Sequence, residues 1–314
     1  MNAAKLKRAL VTGGAGAIGS NLAGALIERG LEVAILDDLS SGHRDLVPTQ
    51  ARFIEGSVTD PAAIERAFSA KPDCVFHLAA LFANQNSVDH PLEDLRVNGL
   101  GTMNVLQAAI RHDVRKLLYT SSSCVYGAKE VMREDDQDYD LDTPYAITKL
   151  MGERYVRFWS QFYGLDTVML RLFNCYGPGE YPGLYRNVIP NFIKLAMEGK
   201  PLPITGTGKE TRDFTFNNDT VSGIVEAMFA PTKPGDVFNI ASGRDEEILA
   251  VAEKINELAG NTAGVEFRPR RGWDRVTRRC GDIGKARAAF GFAPRTTLDQ
   301  GLERTYAWLK TVLA

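Results

Sequence analysis

The chain has 314 residues, enough for one large domain or two moderate ones around a sizeable core. Hydrophobic residues make up 44% and charged residues 24%, the ordinary balance of a soluble globular protein. A formal net charge of -2 gives no electrostatic reason to expect nucleic acid or an anionic membrane as a partner, so any anionic ligand must be held by local groups.

The start, Met1-Asn2-Ala3-Ala4-Lys5-Leu6-Lys7-Arg8, has no apolar signal segment, and no later run is long and apolar enough to span a membrane. Cys74, Cys124, Cys175 and Cys280 lack C-x-x-C spacing, and His43, His77, His90 and His112 show no ligand pattern. Neither a metal site nor a disulfide framework is expected, and a reducing cytoplasm is the expected setting.

Ala9-Leu10-Val11 reads as a first buried strand, followed by a glycine turn through Thr12-Gly13-Gly14-Ala15-Gly16-Ala17-Ile18-Gly19. Gly13, Gly16 and Gly19, in G-x-x-G-x-x-G spacing, let the backbone approach a pyrophosphate at the positive end of the next helix. Ile18, Leu22 and Leu26 line one face of that helix, and Gly30 stops it. Val33-Ala34-Ile35-Leu36 is a second strand ending in Asp37-Asp38. An acid there accepts from an adenosine ribose hydroxyl and repels a 2′-phosphate, favouring NAD over NADP, although Arg44 nearby could soften the choice.

Arg52-Phe53-Ile54 is a third strand, and Asp60-Pro61 opens a helix with Ile64 and Phe68 on one stripe. Cys74-Val75-Phe76 ends in His77-Leu78-Ala79-Ala80, small residues at the sheet edge where a dinucleotide would lie. His77 reads as a packed strand-end histidine rather than a catalyst. Lys116-Leu117-Leu118-Tyr119 and Val168-Met169-Leu170 continue the series. Such alternation predicts an α/β fold, a doubly wound parallel sheet covered on both faces.

Thr143-Pro144 predicts a helix start, with threonine as N-cap and proline at the first helical position. Tyr145 and Lys149 then stand one turn apart on one face, where the ammonium can lower the phenol's pKa and make it a usable base. After Phe173 the chain breaks into shorter pieces at Gly177-Pro178-Gly179, Pro201-Leu202-Pro203 and Gly206-Thr207-Gly208. Residues 1–172 are expected to form the dinucleotide-binding domain, rejoined by segments near 213–242. Residues 173–314 form mainly a smaller C-terminal substrate-binding lobe. Thr297 and Gln300 predict a capping box for a last helix carrying Leu302, Tyr306 and Leu309.

Taken together, the glycine turn, Asp37, His77-Leu78-Ala79-Ala80, Asn98, Ser121-Ser122-Ser123-Cys124-Val125-Tyr126-Gly127 and Tyr145-x-x-x-Lys149 resemble the extended short-chain dehydrogenases/reductases. Within them the chain is most similar to the nucleotide-sugar epimerases and dehydratases, typified by UDP-galactose 4-epimerase. The likeness runs on through Arg171-Leu172-Phe173-Asn174-Cys175-Tyr176-Gly177-Pro178, Arg186-Asn187-Val188, Thr211-Arg212-Asp213-Phe214 and Arg271-Gly272-Trp273-Asp274.

The resemblance implies a Rossmann-type fold and NAD held by Gly13, Gly16, Ala17, Ile18, Gly19 and Asp37. Ser57, Val58, Leu78, Ala79, Ala80 and Asn98 complete the implied cofactor wall. Tyr145 is implied as the base on a sugar hydroxyl, Lys149 as the group that binds the nicotinamide ribose and lowers the phenol's pKa, and Ser122 as the hydroxyl on the reacting oxygen. A phenol shift from about 10 to about 7 corresponds to roughly 4 kcal/mol. Asn187 and Arg212 are implied at the diphosphate, Arg271 near the nucleoside end and Asn174 at the sugar, with Ser123, Cys124 and Asp274 also implied to bind the substrate. Relatives pair through two helices, here around 92–111 and 144–163, so a homodimer is implied, with a UDP-sugar as substrate.

Some positions depart from the family pattern. Dehydratases and sugar-acid decarboxylases carry an acid just after the catalytic hydroxyl, where this chain has Ser123 and Cys124, leaving oxidation and re-reduction at C4. Cys124 stands where a 3,5-epimerase has an acid/base cysteine, but the place of the lysine paired with it there holds Asn187 here, so a small buried cysteine is the expected role. A multi-step enzyme using Cys124 and a non-catalytic NAD-binding sensor or scaffold are the competing readings. Ser57 replaces an aspartate that contacts adenine in many relatives. Arg278, four places after Asp274, is expected at the sugar ring, either reading an acidic sugar or folding onto a carboxylate such as Asp282.

Overall fold

Seven parallel strands form the central sheet: β1 (Arg8–Thr12), β2 (Glu32–Asp37), β3 (Arg52–Glu55), β4 (Cys74–His77), β5 (Lys116–Ser122), β6 (Asp166–Leu172) and β7 (Asp236–Ile240). Their spatial order is β7-β6-β5-β4-β1-β2-β3. The structure, a computed structural model, describes residues 6–136 and 140–313; residues 1–5 of the polar N-terminal stretch lie outside the described residues. From β1 the chain winds one way through β2 and β3, then crosses back to β4 on the other side. Strand order therefore reverses between β1 and β4, and their carboxyl ends diverge into the crevice where open α/β sheets take ligands.

The strands read as near-continuous apolar runs because both faces are covered. In β1, Ala9 and Val11 join one core while Leu10 joins the other. In β6, Val168 and Leu170 face the first core and Met169 the second, as the two-residue period requires. The first core is closed by α1 (Ala17–Glu28), through Leu22 and Leu26, and by Ile224. The second is closed by α2 (Pro61–Phe68), α3 (Thr102–Arg111) and α4 (Pro144–Tyr163). Asp60 caps α2 by accepting from Ala62 N, and Thr143 caps α4 with Pro144 at its first position.

Helix α4 is fastened to the sheet in two ways. A Cβ at Gly152 would lie 2.2 Å from the Tyr119 hydroxyl, so only glycine lets the helix sit this close to β5. One residue on, Glu153 accepts from Arg171 Nε at 2.9 Å and Nη2 at 2.8 Å, a fork-on-fork pair between α4 and β6 that is buried on both sides.

Asn217–Phe229, the helix that carries Ile224, leads into β7, so this later stretch packs against the sheet. Ile283, Ala286 and Phe292 also enter the first core, a return that the sequence patterns did not signal. The lobe has its own core, in which Ile189, Phe192, Val251, Ile255, Leu302 and Leu309 meet under two parallel strand pairs. Those pairs are 174–176 with 214–216 and 202–205 with 265–268. Thr297 and Gln300 form the capping box of the last helix, Leu298–Val312.

Candidate functional site

The crevice above β1 and β4 continues under the lobe as one cleft of about 710 Å³. Its floor is the glycine turn. Gly13 has φ +72°, and a Cβ there would stand 2.7 Å from Ala79 N; one at Gly19 would stand 2.1 Å from Gly13 O. Gly16, the N-cap of α1, brings no side chain to the helix's first N–H groups, and no acid lies in that first turn. The backbone donors there are free for an anion.

At the end of β2, Asp37 is 9% exposed and lines the cleft. Its oxygens accept from Ala15 N and Leu39 N, both at 2.9 Å. Burial pushes its carboxyl up, against the pull of those donors. Ala17, Ile18, Val58, Leu78, Ala79 and Ala80 supply the small and apolar walls. A glycine cradle at a helix N-terminus with a carboxylate at the tip of the next strand fits a dinucleotide.

Two residues expected on this wall are placed elsewhere. The Ser57 hydroxyl accepts from Thr59 N and from Thr59 Oγ1 at 3.0 Å, capping a turn, and Gly56 and Val58 line the cleft around it. Asn98 is 1% exposed and braces the wall from behind. Its Oδ1 accepts from Leu81 N at 2.8 Å, and its Nδ2 donates to Asp94 at 2.7 Å. It lies in the π-helical segment Leu95–Gly101, whose wider turn is a common device beside functional sites.

Across the cleft, α4 projects Tyr145 and Lys149 toward the end of β5. Lys149 Nζ donates to Thr120 O at 2.9 Å and lies 5.7 Å from the centre of the Tyr145 ring. Burial pushes the Lys149 ammonium down to about 8, with Asp94 opposing. Burial also pushes the Tyr145 phenol well above its usual range, helped by Cys124 and Asp94 and opposed by the Ser122 hydroxyl. The expected lowering of the phenol is thus not a property of the protein alone, because desolvation of the phenolate dominates. Ser122 also accepts from Cys124 N at 3.2 Å, which starts the short turn Ser123–Tyr126. His77 bridges Thr12 and Thr102 at 2.7 and 3.0 Å; burial holds its ring neutral, down to about 3, as a packed strand-end residue.

The lobe supplies the roof. Asn174 donates to Asp213 O, and Asn187 donates to Glu180 Oε1 at 2.9 Å and to Cys175 O at 3.0 Å. Arg212 Nη2 reaches both Asp274 oxygens at 3.2 and 3.3 Å, and Arg271 stands exposed at the mouth beside Trp273. Asn174, Asn187, Arg212, Arg271 and Asp274, with Ser123 and Cys124, line the cleft. Arg278 does not: its guanidinium is exposed and pairs with Asp245 at 2.9 and 3.2 Å, while Asp282 pairs with Arg133. The cleft receives Arg279 instead, 8% exposed, with Nη1 3.2 Å from Ser123 Oγ and 3.5 Å from Cys124 Sγ.

A model of the NAD dependent epimerase/dehydratase family matches residues 9–241. The chain belongs to that family. An epimerase from Methanothermobacter thermautotrophicus has a solved structure that is 46% identical, with a TM-score of 0.96 over 98% of this chain and 94% of that one. The UDP-glucose 4-epimerase of Thermus thermophilus, solved with NAD, is 32% identical with a TM-score of 0.91 over 96% and 99%. Among curated proteins, a UDP-N-acetyl-alpha-D-glucosaminuronate decarboxylase of Bacillus cytotoxicus is 33% identical over 98% of both chains.

Within this family frame, sequence reasoning missed two cleft residues. One is Arg279. The other is Glu180, a buried carboxyl that burial pushes up to about 7 and whose Oε2 has no partner among the described residues. The only signal for Glu180 was an acid set inside Gly177-Pro178-Gly179-Glu180-Tyr181-Pro182-Gly183, where loop geometry decides its direction. Among the described residues no group of side chains could hold a metal ion, and no helix is long and apolar enough to cross a membrane.

Proposed function

We propose that this NAD-dependent nucleotide-sugar epimerase inverts C4 of a UDP-sugar by reversible oxidation. The observation that carries the reading is the convergence of Tyr145, Ser122 and Lys149 at the end of β5, where the next two positions, Ser123 and Cys124, offer no carboxylate. Elimination and decarboxylation in this family use an acid at that point, and an oxidation followed by its reversal does not. The activity of the Bacillus decarboxylase is therefore not carried over.

Gly13, Gly16, Ala17, Ile18 and Gly19 are the residues to hold the NAD pyrophosphate, and Asp37 its adenosine ribose. Val58 and Leu78 to Ala80 lie along it, and Lys149 serves the nicotinamide ribose. Bound NAD supplies a hydride acceptor and, once reduced, the donor for the return. Tyr145 takes the C4 hydroxyl proton at its phenolic oxygen and later gives it back. The Ser122 hydroxyl hydrogen-bonds the same substrate oxygen and keeps it in line.

Since burial, with Cys124 and Asp94, favours the protonated phenol, Tyr145 works as a base only with positive charge gathered around it, and the Lys149 ammonium, 5.7 Å from its ring centre, provides part. Arg212 and Asn187 serve the diphosphate, Arg271 and Asp274 the nucleoside end, and Asn174 the sugar. Arginine suits that task because its planar fork gives two parallel hydrogen bonds. The division of labour follows the chain, with residues 1–172 and the stretch 213–242 carrying the cofactor and the rest of 173–314 the sugar nucleotide.

A homodimer in the cytoplasm completes the reading. Leu92, Leu95 and Leu100 stand exposed on one segment, and Ile147, Phe158 and Phe162 on α4, more apolar surface than a lone subunit's helix needs. The test is incubation with UDP-sugars. C4 epimers should equilibrate with no NAD(H) added, and net accumulation of NADH would turn the reading toward a dehydrogenase.

A further inference from the structure

The roof of the cleft holds more positive charge than the protein neutralises. Arg270 and Arg279 both bear on Arg212, while Asp274 is the carboxylate that Arg212 reaches at 3.2 Å and Arg270 at 3.8 Å. Arg279 is over nine-tenths buried, and among the described residues no carboxylate reaches it. Its Nη1 meets the neutral Ser123 hydroxyl and Cys124 thiol, and its buried Nε has no partner among the described residues. A buried cation left in this state is costly unless an anion completes it. This part of the cleft thus suits an anionic group on its ligand.

The place of that charge follows from the neighbours. Ser123 and Cys124 directly follow Ser122, which hydrogen-bonds toward Tyr145, so Arg279 faces the end of the cleft where the sugar reacts. The diphosphate already has Arg212 and Arg271 on its side. We infer that Arg279 pairs with a carboxylate carried by the sugar ring, making the substrate a nucleotide-linked hexuronic acid rather than a neutral hexose. Ser123 completes the subsite: with its Oγ engaged by Arg279, its hydroxyl is oriented to donate its proton to the same carboxylate. The inference rests on the C4-epimerase reading for the reaction, but the charge argument concerns binding alone.

The experiment compares UDP, UDP-glucose and UDP-glucuronate on the NAD-loaded enzyme, by calorimetric binding and by NMR of C4 exchange. A charge-assisted hydrogen bond sets the scale of preference, on the order of 10- to 100-fold in kcat/KM for UDP-glucuronate over UDP-glucose. Arg279→Met should abolish that preference and leave the affinity for UDP itself unchanged, and Arg279→Lys should recover part of the preference. If Arg279→Met weakens UDP as much as UDP-glucuronate, the residue serves the diphosphate and the inference is overturned. Wild-type enzyme that favours UDP-glucose overturns it without any variant. Selective uronate binding with no C4 exchange on any sugar would leave the subsite standing and remove the epimerase reading instead.

Discussion

Glu153→Gln should be among the most damaging single changes outside the cleft, although Glu153 touches neither cofactor nor sugar in the proposed mechanism. Its carboxylate meets Arg171 at 2.9 and 2.8 Å, and the two side chains are 6% and 2% exposed. Arg171 is held further by Glu134 O at 3.1 Å and by the face of Tyr126, 4.6 Å from the ring centre. None of these neutral contacts replaces the lost charge. Breaking a buried pair from one side strands the other ion, at a cost of about 3–5 kcal/mol. For a chain this long, with a urea dependence near 3 kcal/mol/M, the midpoint of unfolding should fall by about 1 M or more. The assay is urea unfolding followed by fluorescence at one fixed NAD concentration, since a bound ligand shifts the midpoint by itself. The double change Arg171→Met with Glu153→Met removes both charges together and should cost much less than Glu153→Gln alone. Because Glu153 lies two turns beyond Tyr145 on the same stripe of α4, Glu153→Gln should also lower kcat while leaving KM nearly unchanged. A midpoint within about 0.3 M of wild type, or a double variant that costs the sum of the singles, would refute the coupled-pair reasoning.

Other outcomes follow from the same geometry. Tyr145→Phe should lower kcat by about 10²–10⁴ while NAD stays bound, read by NMR of C4 exchange; activity within tenfold of wild type would remove the phenol from its role. Lys149, pushed down to about 8 in the folded protein, should make stability rise with pH. Between about 8 and the unfolded value near 10.5 the unfolded chain holds a proton that the native state lacks, so unfolding becomes harder across that window, by roughly 3 kcal/mol in all. Lys149→Met should flatten this rise in urea titrations of the NAD-free protein, and an unchanged slope would contradict it. Gly152→Ala forces a methyl to 2.2 Å from the Tyr119 hydroxyl and should destabilise by about 1–3 kcal/mol; a neutral result would mean that α4 can lift from β5 at no cost.

How much of this was legible in the sequence depended on how regular each element is. β1, β2, β4, β5 and β6 could be read because burial on both faces gives each an apolar run, and the start of α4 because Thr143-Pro144 carries a cap and a fixed φ. Those two readings suffice to bring Tyr145 and Lys149 to the end of β5 opposite the glycine turn. The phenol's protonation was not legible, since it is set by how completely the protein desolvates it.

Where the backbone is irregular, residue type stops indicating direction. Asn98 could be recognised as polar and near the cofactor, but its π-helical turn aims it at Leu81 rather than into the cleft. Arg278 and Arg279 make the limit sharper, because the two side chains are chemically identical and adjacent. Counting four places from Asp274 chose the first. The choice is made by pairing: Cys280–Gly281 lies along Val131–Met132, with Cys280 N bonded to Glu130 O, and in extended chain successive side chains point opposite ways. That register sends Arg278 out to Asp245 and Arg279 inward over Ser123. Which guanidinium enters the cleft is therefore set by a two-residue strand pairing, which no periodicity in the sequence reveals.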